Sequence, residues 1–463
     1  MLNAQQQKTT TVETLEEALK VASTCRVVDY SFFEGSHKER QRQKELFLGD
    51  EIEVPQYDYP YLKNPEQTAE KIKQSLKIIT ENINVLGWDL AELYLASLIF
   101  NLKRTQLVGA AVNINNAELS EAQREKAAFE FNELNSQLFG DINSREFFGI
   151  IGTEYRRAKE YVPKTELAAE IQQDVLWALD FAKNHTVAEH EIDPELIKQY
   201  RPKVLAMYRT ILQTVPADKV FDAKECVEIM NKALEVGGLA EYGWKAVIDS
   251  KKTSPSTQGA QFRIYIPSDT VRTTEQLRVL ILHEQEVHAR RFQNGSHFTQ
   301  LPLLGTGTAE YLSVEEGLGT VMALLAAPKE TSPIERARAR YIHVGLAKGI
   351  GSKPRDARQV FEITWRLKVL QNCPDGNIAE EDITDARESS YAHIENIFRG
   401  TDCKRPGVVY AKAKVYHEGL LKTAKHLTAI QGDSAAFVRM FLGKYNHTDP
   451  TETEHIMRII KPA

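Results

Sequence analysis

Apolar residues recur at three- and four-residue intervals through most of the chain, the spacing of one helix face, and the pattern breaks clearly in two places. The first break is "EIEVPQYDYPYL", where prolines and tyrosines interrupt any helical period and an extended arm is expected on the surface of the body. Helical signals open at Asn64 and Pro65, a cap followed by proline at the first turn, and run through "EQTAEKIKQSLKIITENINVLGWDLAELYLASLIFNLK". Ser120 with Gln123, and Asp222 with Glu225, have capping-box spacing, the latter helix stopping at Gly237-Gly238. The second break is β-like. "WKAVIDS" and "FRIYIPS" are short β-branched and aromatic runs around the turn-rich "KKTSPSTQGAQ", read as a hairpin or as neighbouring strands. Thr273 with Gln276 then starts another helix, and helical periods fill the chain from 331 onward.

The fold class expected is α+β, mainly helical, with a small β-sheet packed beside the helix that follows it. In order, the segments are an N-terminal extended arm (1–63), a helical region (64–239), an α+β core (240–330) and a C-terminal helical region closing a cleft (331–463). Charge changes this picture little: a net charge of −6 spread along 463 residues lacks the basic footprint of a nucleic-acid binder. Cys25, Cys226, Cys373 and Cys403 form no CxxC pair, which fits reduced thiols in a cytoplasmic protein. No signal peptide or bilayer-length apolar run is visible, so no membrane association is expected. Oligomeric state leaves no mark on the sequence.

The candidate chemistry lies in "LRVLILHEQEVHARRFQNG", with His283, Glu284 and His288 in the spacing His-Glu-x-x-x-His. Zinc peptidases place two imidazoles on one helix face, take a third ligand from elsewhere, and set a carboxylate beside the open position. Histidines four apart differ by only about 40° around an ideal helix, whereas five apart they differ by roughly 140°. Both rings reach one ion only if the helix ends or widens between them, as a π-bulge would do. A buried histidine is more often structural than a ligand, so spacing alone leaves two readings open. A further carboxylate favours the metal: "YLSVEEGLGTVMALL" sets Glu315 and Glu316 at the head of an apolar helix, about 28 residues past His288.

These segments, with Arg291-Phe292-Gln293-Asn294-Gly295, Glu315-Glu316-Gly317-Leu318, "IFRGTD" and "YAKAKVYHEGLL", resemble the microtubule-associated tyrosine carboxypeptidase family and its bacterial Gln-Glu-Gly-Leu-Ala relatives. The likeness covers about 240–420. It implies Zn2+ held by His283, His288 and Glu316, with Glu284 as general base and Tyr416 as the tyrosine of the family's Lys-Asp-x-x-Tyr segment. It also implies a peptide or protein C-terminus as substrate. Glu286 in place of the usual Gly, Gly319 in place of Ala and Ala413 in place of Asp depart from the pattern; zinc binding is expected to survive them.

A carboxypeptidase must also hold a terminal carboxylate, a task suited to arginine's planar fork. Arg263, on a strand beside the motif, Arg291, Arg399 and Lys412 are the candidates, although Arg291 could instead orient a ligand. Tyr311, Tyr391 and Tyr416 are candidate donors to the tetrahedral oxyanion, the first two more simply core tyrosines. In 335–358 basic residues outnumber acidic ones, either a face that attracts an acidic substrate or a solvated helix. A zinc metallo-carboxypeptidase is the first expectation. A non-catalytic peptide-binding or regulatory member, or a zinc endopeptidase, are the alternatives.

Overall fold

The computed structural model describes residues 12–24, 33, 35–185, 192–252, 254–327 and 332–460. Its described residues are mainly helical, with two small sheets, and three apolar cores hold them together. The first core surrounds the sheet and the motif helix, drawing on Leu196, Met230, Trp244, Ile264, Leu282, Leu318 and Leu420. A second joins Phe147 and Ile171 to Tyr341, Phe361 and Phe398. The third packs the helices Glu66–Glu81, Trp88–Ile114 and Glu121–Phe139 against Leu304 and Tyr445. Each core thus takes residues from distant parts of the chain and cuts across contiguous sequence blocks. No described helix is long and apolar enough to cross a membrane. Cys226, Cys373 and Cys403 are buried free thiols, and Cys25 lies outside the described residues.

Local signals in the sequence are realised where side chains satisfy orphan amides. Ser120, Asp222 and Thr273 each accept a bond from the backbone N–H three residues on, and Gln123, Glu225 and Gln276 return it. At Asn64 the outcome differs. The helix Glu66–Glu81 starts one residue later, and the Asn64 side chain donates to Glu66 instead of capping. The long apolar pattern beyond it is also divided. Gly87, at φ 79°, separates the helical turn Ile83–Leu86 from Trp88–Ile114.

Within 12–63, the helices Leu15–Thr24 and His37–Leu48 precede the extended part. That part is tied down: Val54 is buried, and the Tyr57 hydroxyl meets the Tyr391 hydroxyl at 2.8 Å.

The larger sheet has the order Lys245–Ile248, Arg263–Ile266, Ser256–Gln258. The two strands expected from the sequence are neighbours, but they run parallel. The third strand falls inside the turn-rich link, pairs antiparallel with Arg263–Ile266 and forms the edge. Thr257 on this edge touches the motif helix directly.

The helix Tyr311–Ala326 packs along Val415–Ala429 with backbone nearly touching backbone. A Cβ added at Gly317 would lie 2.1 Å from the Gly419 carbonyl, and one at Gly419 would lie 1.8 Å from the Ser313 oxygen. This closeness brings the C-terminal helix, with Tyr416 at its second position, against the Glu315–Glu316 pair. Gly317→Ala should therefore lower unfolding free energy by about 1–3 kcal/mol, since the clash is with backbone and cannot relax by a rotamer change. Gly109→Ala, in a helix interior with open space around the new Cβ, should be neutral or stabilise by about 0.5–1 kcal/mol. Urea unfolding of the two variants beside the parent measures both.

Candidate metal centre

The helix begun by the Thr273 cap is α-helical over Thr274–Leu280, widens to π-helix over Ile281–Ala289, and returns to α over Arg290–Ser296. The widened stretch carries the whole motif. An i→i+5 ladder sets residues five apart on one face, so the imidazoles of His283 and His288 meet with centroids 4.8 Å apart. Widening a helix leaves carbonyls poorly served, and the surroundings answer this. The Thr257 hydroxyl lies 3.1 Å from the Glu284 carbonyl oxygen and 2.8 Å from its Oε2, able to donate to either. On the far face Gln285 Nε2 donates to the Ala233 carbonyl at 2.9 Å. Glu286, the extra carboxylate in the motif, is buried there too, bridged to Arg290 at 3.0 and 3.2 Å, and so is drawn away from the histidines.

Glu316 completes the cluster from the crossing helix. Its Oε2 lies 3.6 Å from His283 Nε2 and 3.7 Å from His288 Nε2, with donor atoms of all three residues within 4.8 Å of one another. These separations are too long for good hydrogen bonds. A tetrahedral ion with ligand bonds of about 2.1 Å spaces its ligands about 3.4 Å apart, close to what is seen. The donor set therefore fits a metal ion better than it fits a self-satisfied polar cluster. Burial opposes ionisation of Glu316, but the two imidazoles overcome it and lower its pKa. The His283 ring lies against Gly319, where a Cβ would stand 2.5 Å from it. The glycine at this position is part of the seat of this imidazole.

Behind this cluster lies a buried charge network. His288 Nδ1 faces Glu315 Oε2 at 3.4 Å, the arrangement in which a carboxylate fixes the orientation and tautomer of a ligating histidine. Glu315 is in turn met by Lys444 Nζ at 3.3 Å and Arg291 Nη1 at 3.6 Å. Burial alone would raise the Glu315 pKa; Lys444, His288 and Arg291 outweigh it and hold the carboxylate ionised. For His288 burial again opposes the charged form, yet Glu315, Glu316 and Glu284 raise its pKa to about 9.

The Arg-x-x-Asn-Gly segment builds this network. Arg291 Nη2 donates to the Tyr445 carbonyl at 2.7 Å and Asn294 Nδ2 to the Phe441 carbonyl at 2.8 Å. These bonds dock the C-terminal segment that carries Lys444.

The expected substrate-side residues are placed unevenly. Tyr416 lies in the electrostatic field of both Glu316 and Glu284, and burial followed by those carboxylates raises its pKa, so its hydroxyl keeps its proton. Arg263 is on the central strand, paired on both sides, and donates to the Gly243 and Phe262 carbonyls. The strand next to it, Ser256–Gln258, is an edge of this sheet, whereas the strand of Arg263 is not.

Arg291 is 0% exposed and presents no face to substrate, leaving its role as an orienting cation. Arg399 is bonded to the carbonyl and side chain of Asn396 while still acting on Tyr416. Lys412 sits in the short turn Ala411–Lys414, 8% exposed. Tyr391 is engaged with Tyr57, as a core tyrosine would be, and Tyr311 lies under Lys444.

The basic stretch is largely consumed by structure. Arg338 pairs with buried Glu154, Arg355 with Ser352 and backbone, and Arg358 with Asp50 and Glu362.

Sequence reasoning missed Thr257, Lys444 and Arg340. Arg340 places its guanidinium carbon 4.3 Å from the Tyr416 ring centroid. None of the three falls in a motif; Thr257 lies just ahead of "FRIYI" in an irregular link, and Arg340 lies within the basic stretch 335–358.

Removing Lys444 leaves Glu315 buried with one cation fewer, which favours its protonation and loosens its hold on His288. Lys444→Met should weaken metal affinity about 10- to 100-fold, and Lys444→Arg should retain most of it. Competition with a chromophoric chelator measures this, and equal affinity in parent and methionine variant would refute it.

No curated protein and no solved structure matches the chain. The segment that carries the edge strand, the π-helix, both histidines and the Glu315–Glu316 pair does match a family, ending before Tyr416 and Lys444. Residues 200–347 match the family model of the microtubule-associated tyrosine carboxypeptidase.

Proposed function

We propose that the protein is a zinc metallopeptidase that removes the last residue from a peptide or protein C-terminus, preferring an aromatic one. The observation that carries this is the convergence of His283, His288 and Glu316 on one point through a π-helix that has Glu284 within it. Two imidazoles and one carboxylate are a catalytic rather than a structural zinc set, because they leave a fourth position open. The family matched by residues 200–347 supports the direction of attack and the aromatic preference.

Zinc held there would supply Lewis acidity, activating water near neutral pH and polarising the scissile carbonyl. The protein's own groups do the rest. Glu284, 7% exposed and steadied by the Thr257 hydroxyl, accepts the proton of the attacking water and passes it to the leaving amine. Tyr416, kept protonated by burial and by the carboxylates near it, donates a hydrogen bond to the developing oxyanion. The edge strand Ser256–Gln258 offers main-chain pairing to an extended substrate beside the metal helix.

Two outcomes follow. Glu284→Gln should keep about one zinc per chain and an unchanged fold while losing turnover by at least a hundredfold, since only the proton acceptor is removed. His283→Ala and Glu316→Ala should lose the metal itself. Elemental analysis beside peptide turnover separates the two cases, and activity within a few-fold of the parent in Glu284→Gln would remove that residue as the base.

For matched peptides, the free acid should lose a single terminal residue and the C-terminal amide should resist. Mass spectrometry reads both. Cuts within the chain, or equal cleavage of acid and amide, would make the protein an endopeptidase.

A further inference from the structure

A carboxypeptidase needs one cation within a residue's length of its catalytic centre, and the four candidates named from the sequence are bound, buried or paired elsewhere. The helix Ser332–Lys348 supplies another. Arg340 is partly buried, and its guanidinium lies over the Tyr416 ring. Tyr416 in turn lies in the field of Glu316 and Glu284. Stacking on an aromatic face fixes the plane of the guanidinium while leaving its edge donors free.

Neighbouring cations have acidic partners: Arg338 has Glu154, Lys414 has Glu418 and Lys444 has Glu315. Arg340 has no carboxylate partner among the described residues. A partly buried guanidinium without an anion costs free energy, which a ligand carboxylate would relieve. The ground beside it is short of partners as well. One turn along the same helix the His343 ring meets His393 at 4.9 Å, and His343 Nε2 and His393 Nδ1 are both buried without a hydrogen bond. Arg340, Arg336 and Lys368 all bear electrostatically on His393, while Glu335 and Asp385 act on Lys368.

We propose that Arg340, held flat by Tyr416, binds the free C-terminal carboxylate of the substrate and so places the last peptide bond over the metal cluster. The assignment rests on the carboxypeptidase reading above. It makes Arg340 a specificity-determining residue, and it gives Tyr416 a second task as the platform of the anchor. The planar, bidentate geometry of guanidinium with carboxylate accounts for arginine at this position, and lysine would replace it incompletely.

The test uses the full chain with matched acid and amide peptides, comparing the parent with Arg340→Met and Arg340→Lys. The parent should prefer the acid by at least a hundredfold in kcat/KM. Arg340→Met should lose most of that preference through a raised KM for the acid, and Arg340→Lys should keep an intermediate preference. Binding of the same peptides in a Glu284→Gln background gives a second readout that needs no turnover: the acid should bind more tightly, and adding Arg340→Met should erase the difference. Zinc content and thermal midpoint, unchanged from the parent, certify the variants as folded. A parent that cleaves acid and amide equally overturns the carboxypeptidase reading itself. A parent that discriminates, with Arg340→Met discriminating just as well in cleavage and binding, overturns Arg340 as the anchor and leaves the reading standing.

Discussion

The widened turn of helix from Ile281 to Ala289 is the constraint on which the site depends. In a regular helix His283 and His288 would diverge by roughly 140°, and no movement of Glu316 could bring all three donors together. The π-helix removes that divergence at the cost of less favourable backbone bonding, so its neighbours must stabilise it. They do so from two sides. Thr257 reaches the Glu284 carbonyl from the sheet edge, and Gln285 reaches the Ala233 carbonyl from the opposite face. The edge strand thus has two roles, supporting the helix it packs on and steadying the carboxylate proposed as the base.

A second dependence is electrostatic. Glu315, Glu316, Glu284 and Glu286 are all buried on or beside the motif, and burying a carboxylate is costly unless it is paired or hydrogen-bonded. Glu286 is drawn off by Arg290, Glu316 by the two imidazoles, and Glu315 by Lys444 and Arg291. Sorting these carboxylates onto separate cations keeps the metal-facing side free of competing donors. Two of the groups that act on this region, Lys444 and Tyr416, come from the last fifty residues of the chain, beyond the family-matching segment. The close crossing at Gly317 and Gly419 and the docking of Phe441–Tyr445 on Arg291 and Asn294 are what deliver them.

The same packing explains why so many arginines around the site are unavailable to a substrate. Arg291, Arg338 and Arg358 are each engaged by carboxylates or carbonyls from distant segments. Arg340 differs in that its guanidinium lies over an aromatic ring, that of Tyr416.

What the sequence determined by itself was local or periodic. The capping boxes at Ser120, Asp222 and Thr273 and the later helices are written in residues close together in the chain, where side chain and backbone amide meet whatever the rest does. That the helix must widen or end between the histidines, were they to share an ion, was equally legible, because five-residue spacing sets them roughly 140° apart on a regular helix. Tertiary structure alone decided the rest. Two strands that a hairpin would have paired antiparallel run parallel, because Ser256–Gln258, hidden in a polar link, takes the antiparallel place beside the central strand. Arg263 became a central-strand residue for the same reason. Where an arginine finds its partners is decided by remote segments: Glu154 pairs with Arg338, Asp50 with Arg358, and the Tyr416 ring lies under Arg340. Lys444 carries no motif at all, and only the folded chain brings it, from beyond position 440, to the carboxylate behind His288.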